Sequence, residues 1–485
     1  MESRILKRIL LASSLIAFAL VSIDMSGQKD EMPVTTSSPK AKALLLEATD
    51  IYFEKGDQVK CTEFLKKALE IDPNFAVANT WYAYMGIGSV EQEKYLAVAM
   101  SQVDKVSVPE MHFIRSYTAY AKRNFDEAIS EMKAAIQAAP GDKYLPLYLS
   151  EILGSIGRYS EALEFAKLSN EKDPGFAYPV NYQGFLLRNL EKPDESEKAY
   201  LKAIEINPGN PEFLNNYAQL LRSQNRLDEA INLHKKALSI REDYLSNLFL
   251  GHCYIAKEQY PEARNQYLKA RAASSTNGQK GGCLDYIAYT YLYEGNLPGA
   301  LTAFDNLADF VRQAGGIDGG VLEADINKAY SCILYGEYEK YAVFLQDVKN
   351  HMETLDLSES DKTLMAKYIH IVEGYLYAYK GDIEKTRLYL DRFEKGLNET
   401  YREIYKSDLM EIKGLIEYHE GKYPAAITSL EQASAMGNYY AGLAYEKLGN
   451  KEKAKETYMK IVDERLTSFD LAATKPFAKK RLAQL

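Results

Sequence analysis

Prolines at 140, 174 and 208 stand 34 residues apart, and Pro73 lies 67 residues before the first of them. A chain that restates itself at that period is an array of small units, each unable to bury its own apolar face and each completed by its neighbour. The restatement extends well beyond proline. LKKALEIDP at residues 65–73 returns as LKAIEINP at 201–208. Residues 143–176 carry Ser150, Gly157, Tyr159, Ala162, Ser169 and Pro174; the next 34 carry Gly184, Leu187, Ser196, Tyr200, Ala203 and Pro208. Small residues at the eighth, twentieth and twenty-seventh places let two helices approach where a larger side chain would wedge them apart. Glycine near the fifteenth place suits a left-handed helix cap, and proline at the thirty-second cannot continue a helix.

This pattern resembles the tetratricopeptide repeat, a helix–turn–helix unit, and the resemblance implies an all-α, right-handed α-solenoid. Units begin near residues 42, 76, 109, 143, 177, 211, 244, 281, 322, 367, 407 and 435, about twelve in all, with those near 76 and 322 degenerate. SSTNGQKGG at 274–282 and GGIDGG at 315–320 read as loops. The first of them divides an N-terminal array, residues 41–275, from a C-terminal array of longer units, residues 281–470. Residues 471–485 are expected to cap the last apolar face, and residues 28–40 read as a flexible leader.

Arg4, Lys7 and Arg8 precede an apolar run from Ile9 to Ile23 and a polar exit, the layout of a signal peptide over residues 1–27. Cleavage there would leave no membrane span and place the protein in the periplasm or outside the cell; an uncleaved N-terminal anchor is the alternative. A formal charge of −9 and a pI near 5.5 argue against nucleic acid as a partner. Cys61, Cys253, Cys283 and Cys332 are scattered singly, so free buried thiols are expected, and a Cys253–Cys283 bridge is the one pairing to test. The sequon Asn398-Glu399-Thr400 bears on the chain only in a glycosylating host.

Catalytic and metal-binding patterns are missing from the sequence. The six histidines form neither HExxH nor a Cys/His cluster, and no phosphate-binding glycine loop precedes a helix. The expectation is therefore a non-enzymatic chain without cofactor or metal. Function is sought on the concave face instead. The resemblance implies that places 2, 5, 9 and 12 of each first helix line it, a spacing that keeps one helical face. In units four to eight these places supply Tyr144, Tyr178, Asn181, Phe185, Arg188, Asn215, Gln219, Arg222, Leu248, His252, Asp285 and Tyr289, with Glu151 and Glu212 among them. Amides can pair with the backbone of an extended peptide and aromatic rings can cover its side chains. Other proteins are thus the expected partners, with an exported binder of glycans or small molecules as the alternative. The carboxylate clamp of cytosolic chaperone adaptors is not expected, because Asp50 and Glu151 stand where that clamp needs amides.

Overall fold

The computed structural model describes residues 31–85, 89–314, 318–354, 359–395, 397, 402, 403, 405–465 and 467–485. Among them are 25 α-helices and no strand, arranged as twelve consecutive hairpins and one last helix. The first six hairpins are α1 (Pro39–Lys55) with α2 (Gln58–Ile71), α3 (Ala76–Tyr84) with α4 (Ser89–Met100), α5 (Val108–Ala121) with α6 (Phe125–Ala138), α7 (Tyr144–Ser155) with α8 (Tyr159–Lys172), α9 (Ala177–Asn189) with α10 (Pro193–Ile206), and α11 (Pro211–Ser223) with α12 (Leu227–Ile240). The next six are α13 (Tyr244–Ala256) with α14 (Tyr260–Ala273), α15 (Asn277–Tyr293) with α16 (Leu297–Gln313), α17 (Asp318–Ser331) with α18 (Tyr338–Thr354), α19 (Glu359–Lys380) with α20 (Ile383–Glu394), α21 (Lys406–His419) with α22 (Tyr423–Leu430), and α23 (Ala435–Lys447) with α24 (Lys451–Asp463). Helix α25 (Phe469–Leu482) follows.

The small-residue places explain why these helices pair. A Cβ on Gly184 would lie 2.7 Å from two carbons of the Tyr200 ring, and one on Gly251 would lie 2.5 Å from Tyr267. Gly442 stands in the same relation to Tyr458, and all three tyrosines are fully buried. The eighth-place glycine of the first helix therefore makes room for an aromatic ring from the second. A hydroxyl links the same two helices elsewhere. Ser116 Oγ donates to the Ala128 carbonyl, Ser150 Oγ to Ala162 and Ser196 Oγ to Gly184, each at 2.7 Å. Eighth and twentieth places are thus joined in three hairpins, by a bond typically contributing about 1 kcal/mol.

The chain divides into two compact units, Met1–Leu220 and Leu221–Leu485. The expected junction at 274–282 falls elsewhere because that stretch is mostly helix. Thr276 Oγ1 accepts from the Gln279 N–H at 3.2 Å and starts α15, which carries Gly278, Gly281 and Gly282 and packs on α14. Burial of Cys283 and Leu284 outweighs a glycine penalty of about 1 kcal/mol each. GGIDGG is likewise helical from Asp318 onward, its first three residues lying outside the described residues.

All four cysteines are free and buried. Burial pushes Cys61 and Cys253 up to about 12 and Cys283 and Cys332 to about 11. In the second unit α25 packs on α23 and α24 and also reaches α15, where Phe469 lies 5.9 Å from Tyr289. The expected signal peptide and the sequon lie outside the described residues.

Candidate functional site: a tyrosine-lined interior

In the N-terminal unit the last turn of α1 inserts Tyr52 and Phe53 among rings from four later helices and loops. Phe53 stacks on Tyr144 at 5.2 Å, and it meets Tyr178 edge-on at 4.9 Å, Phe176 at 5.3 Å and Trp81 at 5.7 Å. Aromatic pairs of this geometry add about 0.5–1.5 kcal/mol each beyond the area they bury. Polar contacts fix the turn. Asn207 Nδ2 donates to the Glu54 carbonyl at 2.8 Å, and Asn210 Nδ2 donates to that of Phe53 at 3.2 Å. Gly56, at φ +59°, ends α1 so closely against the Asn210 side chain that a Cβ would lie 2.5 Å from its Oδ1. The first hairpin thereby closes onto the fifth, through residues more than 150 apart in sequence.

That closure changes what the inner face offers. Seven of the twelve expected groove residues lie in the N-terminal unit and five, from Arg222 onward, in the other. Tyr178, Asn181, Asn215, Leu248 and His252 are buried against the chain itself, so an open row of amides is not what these positions form. Asn181 Oδ1 accepts from Asn216 Nδ2 at 3.4 Å. His252 Nδ1 lies 2.8 Å from the Tyr267 hydroxyl; burial, then the nearby Arg222 and His234, press its pKa down to about 3. Tyr144, Phe185, Arg188, Gln219, Arg222, Asp285 and Tyr289 keep partial exposure. Phe185 stacks on Tyr182 at 5.4 Å, with the Arg188 guanidinium 5.4 Å from its ring. Arg222 donates to the Arg465 carbonyl at 2.6 Å. Burial, then the Glu323 charge, raises Asp285 to about 7, and its Oδ1 has no hydrogen-bond partner.

The sequence reading, confined to units four to eight, named Glu151 and Phe185 but missed that they continue a ladder at the ninth place. Tyr84, Tyr117, Glu151 and Phe185 hold that place in the second to fifth units, and the first three line one cavity of about 200 Å³ with Tyr120, Ile152, Ser155 and Tyr182. Gly154 allows the Tyr182 hydroxyl to approach α7. Tyr84 donates to Glu151 Oε2 at 3.2 Å. Burial is the main reason that the Glu151 carboxyl rises to about 8; the Tyr84 and Tyr178 hydroxyls oppose the shift and the Glu212 charge adds to it. The signal was present in sequence at the same place of the second and third units.

The expected leader is no loose tail over residues 31–38. The Met32 N–H donates to Asp142 Oδ2 at 3.0 Å, the Thr35 N–H and hydroxyl each reach Glu110 at 2.6 Å, and the Thr36 hydroxyl reaches Asp72 at 2.5 Å. Glu110 and Asp142 are buried, and Met32 and Val34 pack on the core. Carboxylates at the corners of successive hairpins leave acceptors unfilled, and an extended backbone with threonine hydroxyls fills them.

The second unit has a comparable interior. Tyr379 donates to Glu411 at 2.5 Å, Ser434 bonds the same carboxyl, and Tyr375 donates to Asp408 at 2.9 Å. Burial raises Glu411 to about 7 against those two hydroxyls. Among the described residues no group of three His, Cys, Asp or Glu could hold a metal ion, and no helix is long and apolar enough to cross a membrane.

One family model described as tetratricopeptide repeat matches residues 41–75, 183–210 and 438–465, and a second of the same description matches 199–232. The first three fall on the first, fifth and twelfth hairpins, and the last runs from α10 through α11 into α12. Over these stretches the chain carries tetratricopeptide repeats. Among solved structures it is similar to that of MamA, at 23% identity over 32% of this chain and 91% of that one, with a TM-score of 0.28. A tetratricopeptide repeat protein from Parabacteroides merdae ATCC 43184 shows 15% identity over 56% of this chain and 94% of that one, with a TM-score of 0.35. PilW, titled a widely conserved type IV pilus biogenesis factor, shows 16% identity over 56% and 98%, again at 0.35. Likenesses of this size concern the helical fold alone. No curated protein matches.

Proposed function

We propose that this repeat protein is a non-enzymatic scaffold that binds extended segments or docking surfaces of other proteins, and that it works in the cell envelope, periplasmic or secreted, after export. The observation that carries the reading is the segment 31–38. It lies extended along the N-terminal unit, held by two backbone N–H groups and two hydroxyls on carboxylates from three different corners of the array. Main-chain recognition of this kind tolerates many sequences, which suits capture of diverse segments. Of the inner-face positions, the partly exposed Tyr144, Phe185, Arg188 and Gln219 in one unit, and Arg222, Asp285 and Tyr289 in the other, are the proposed contacts. Position 151 carries an acid in place of the amide that a carboxylate clamp needs, so capture of a C-terminal carboxylate is not part of this reading.

Export is supported by the basic, apolar and polar order of residues 1–27. Photo-cross-linkers placed at Phe185 and at Tyr289 in cells, followed by mass spectrometry and fractionation, test the reading. Recurrent adducts with envelope proteins support it; adducts confined to cytosolic proteins, or none at either position, overturn it.

A further inference from the structure

We propose that the cavity around Glu151 is a binding site for an organic cation, an ammonium or guanidinium head. This goes beyond the scaffold reading and does not depend on it, since a free amine would fill the cavity as well as a partner's side chain would.

The walls come from four helices. Tyr84 of α3, Tyr117 and Tyr120 of α5, Glu151, Ile152 and Ser155 of α7, and Tyr182 of α9 enclose about 200 Å³. At about 30 Å³ per water in the liquid, that is room for several waters or one small alkylammonium head. Tyrosine faces carry negative charge density, and cages of such rings are suited to cations. At one wall stands a carboxyl group to which the described residues bring no cation. Its hydrogen-bond partners are the Tyr84 and Tyr178 hydroxyls, and the carboxylate charge that acts on it, Glu212 of α11, has the same sign. The titratable groups around it are Tyr52 of α1, Tyr84, Tyr117, Tyr120, Tyr148, Tyr159 of α8, Tyr178, Tyr182 and Glu212; among the described residues no lysine or arginine is seen acting on it.

A buried carboxylate lacking a counter-ion is costly, and proteins relieve that cost by protonation or by a bound cation. Glu151 keeps partial exposure, so a ligand in the cavity can reach it. With burial raising it to about 8, the group is mostly protonated at pH 7. A cation entering the cavity would therefore displace nearly one proton.

Calorimetry on the full chain tests this with butylammonium, butylguanidinium, neutral 1-butanol and the capped tripeptide Gly-Lys-Gly. Titrations run at pH 6, 7 and 9, in two buffers of different ionisation enthalpy. Both cations should bind at least about tenfold more tightly than butanol, with affinity rising about tenfold per pH unit below 8 and levelling above it. Proton release should accompany binding at pH 7. Glu151→Gln, nearly isosteric, should abolish both the preference and the release while leaving helicity unchanged. Tyr84→Phe, which keeps the ring, should retain binding. Competition by the tripeptide assigns the natural occupant to a partner's side chain; binding of the free cations alone assigns it to a small amine. Butanol binding as tightly as the cations, Glu151→Gln binding undiminished, or no saturation by either cation overturns the proposal. None of those results touches the cross-linking test of the scaffold.

Discussion

Replacing Gly184 by alanine tests the central packing device of the repeats. The added methyl would stand 2.7, 2.7 and 2.9 Å from three carbons of the Tyr200 ring, where ordinary contact needs more than 3.4 Å. Tyr200 is fully buried and cannot swing into solvent. Either the ring or the pairing of α9 with α10 must yield, at a cost of about 1–3 kcal/mol for overpacking. Alanine recovers about 1 kcal/mol of helix propensity. The expected net loss is therefore about 0–2 kcal/mol, and more if the Ser196 bond to the Gly184 carbonyl breaks. Gly282→Ala is the control, because a methyl added to this helical glycine would meet nothing within 4 Å and the substitution should gain up to about 1 kcal/mol. Urea unfolding followed by circular dichroism gives both values, and Trp81, buried in the N-terminal unit, reports on the first by fluorescence. The reasoning fails if Gly184→Ala matches or exceeds the stability gained by Gly282→Ala.

Three further outcomes follow from the same structure. Phe53→Ala should cost about 3–5 kcal/mol and speed hydrogen exchange around Asn207 and Asn210, because the closing ring contacts go with it; unchanged exchange there would contradict the closure. The folded Glu151 carboxyl titrates near 8 against an ordinary 4.5, so between those values the unfolded chain gives up a proton that the folded one keeps. Stability conferred by the folded state's extra proton is thus full below 4.5 and is lost as pH rises towards 8; Glu151→Gln should gain on the parent in melting temperature across that window, and a constant difference would refute the assignment. Finally, the four thiols should resist a thiol reagent at pH 8 in the native state and all react in denaturant, since burial holds each well above its ordinary value.

Unit starts were legible because each rests on local chemistry. Glycine against Tyr200 and Tyr267, serine on a neighbouring carbonyl, and proline after the second helix all act within one 34-residue period, so first helices begin at 76, 177, 211, 244 and 435 as the spacing predicts. Elsewhere they begin within a few residues of the expected place, except where longer helices move the start from 367 to 359. What local spacing could not convey was contact across the array. Nothing near Phe53 announces that Asn210 will hold its carbonyl, and nothing in EMPVTTSS announces that Glu110 and Asp142 await its N–H groups. Glycines 278, 281 and 282 misled for the converse reason, because a capped and buried helix tolerates them. The cavity was half legible. Glu151 was placed on the inner face, but Tyr84, Tyr117 and Tyr120 come from units before the fourth, and Tyr182 holds the sixth place of its unit, outside the four places read as inward.

Binding of the peptide EMPVTTS, residues 31–37, to a chain that begins at Ser38 tests the account most directly. Fluorescence anisotropy should show saturable binding, weakened at least about tenfold by Glu110→Gln, since a hydrogen bond to a charged group contributes about 1.5–3 kcal/mol and the Thr35 N–H and hydroxyl make two. A fully helical chain that takes up no peptide, or takes it up regardless of Glu110, would contradict the claim that this array holds extended backbone.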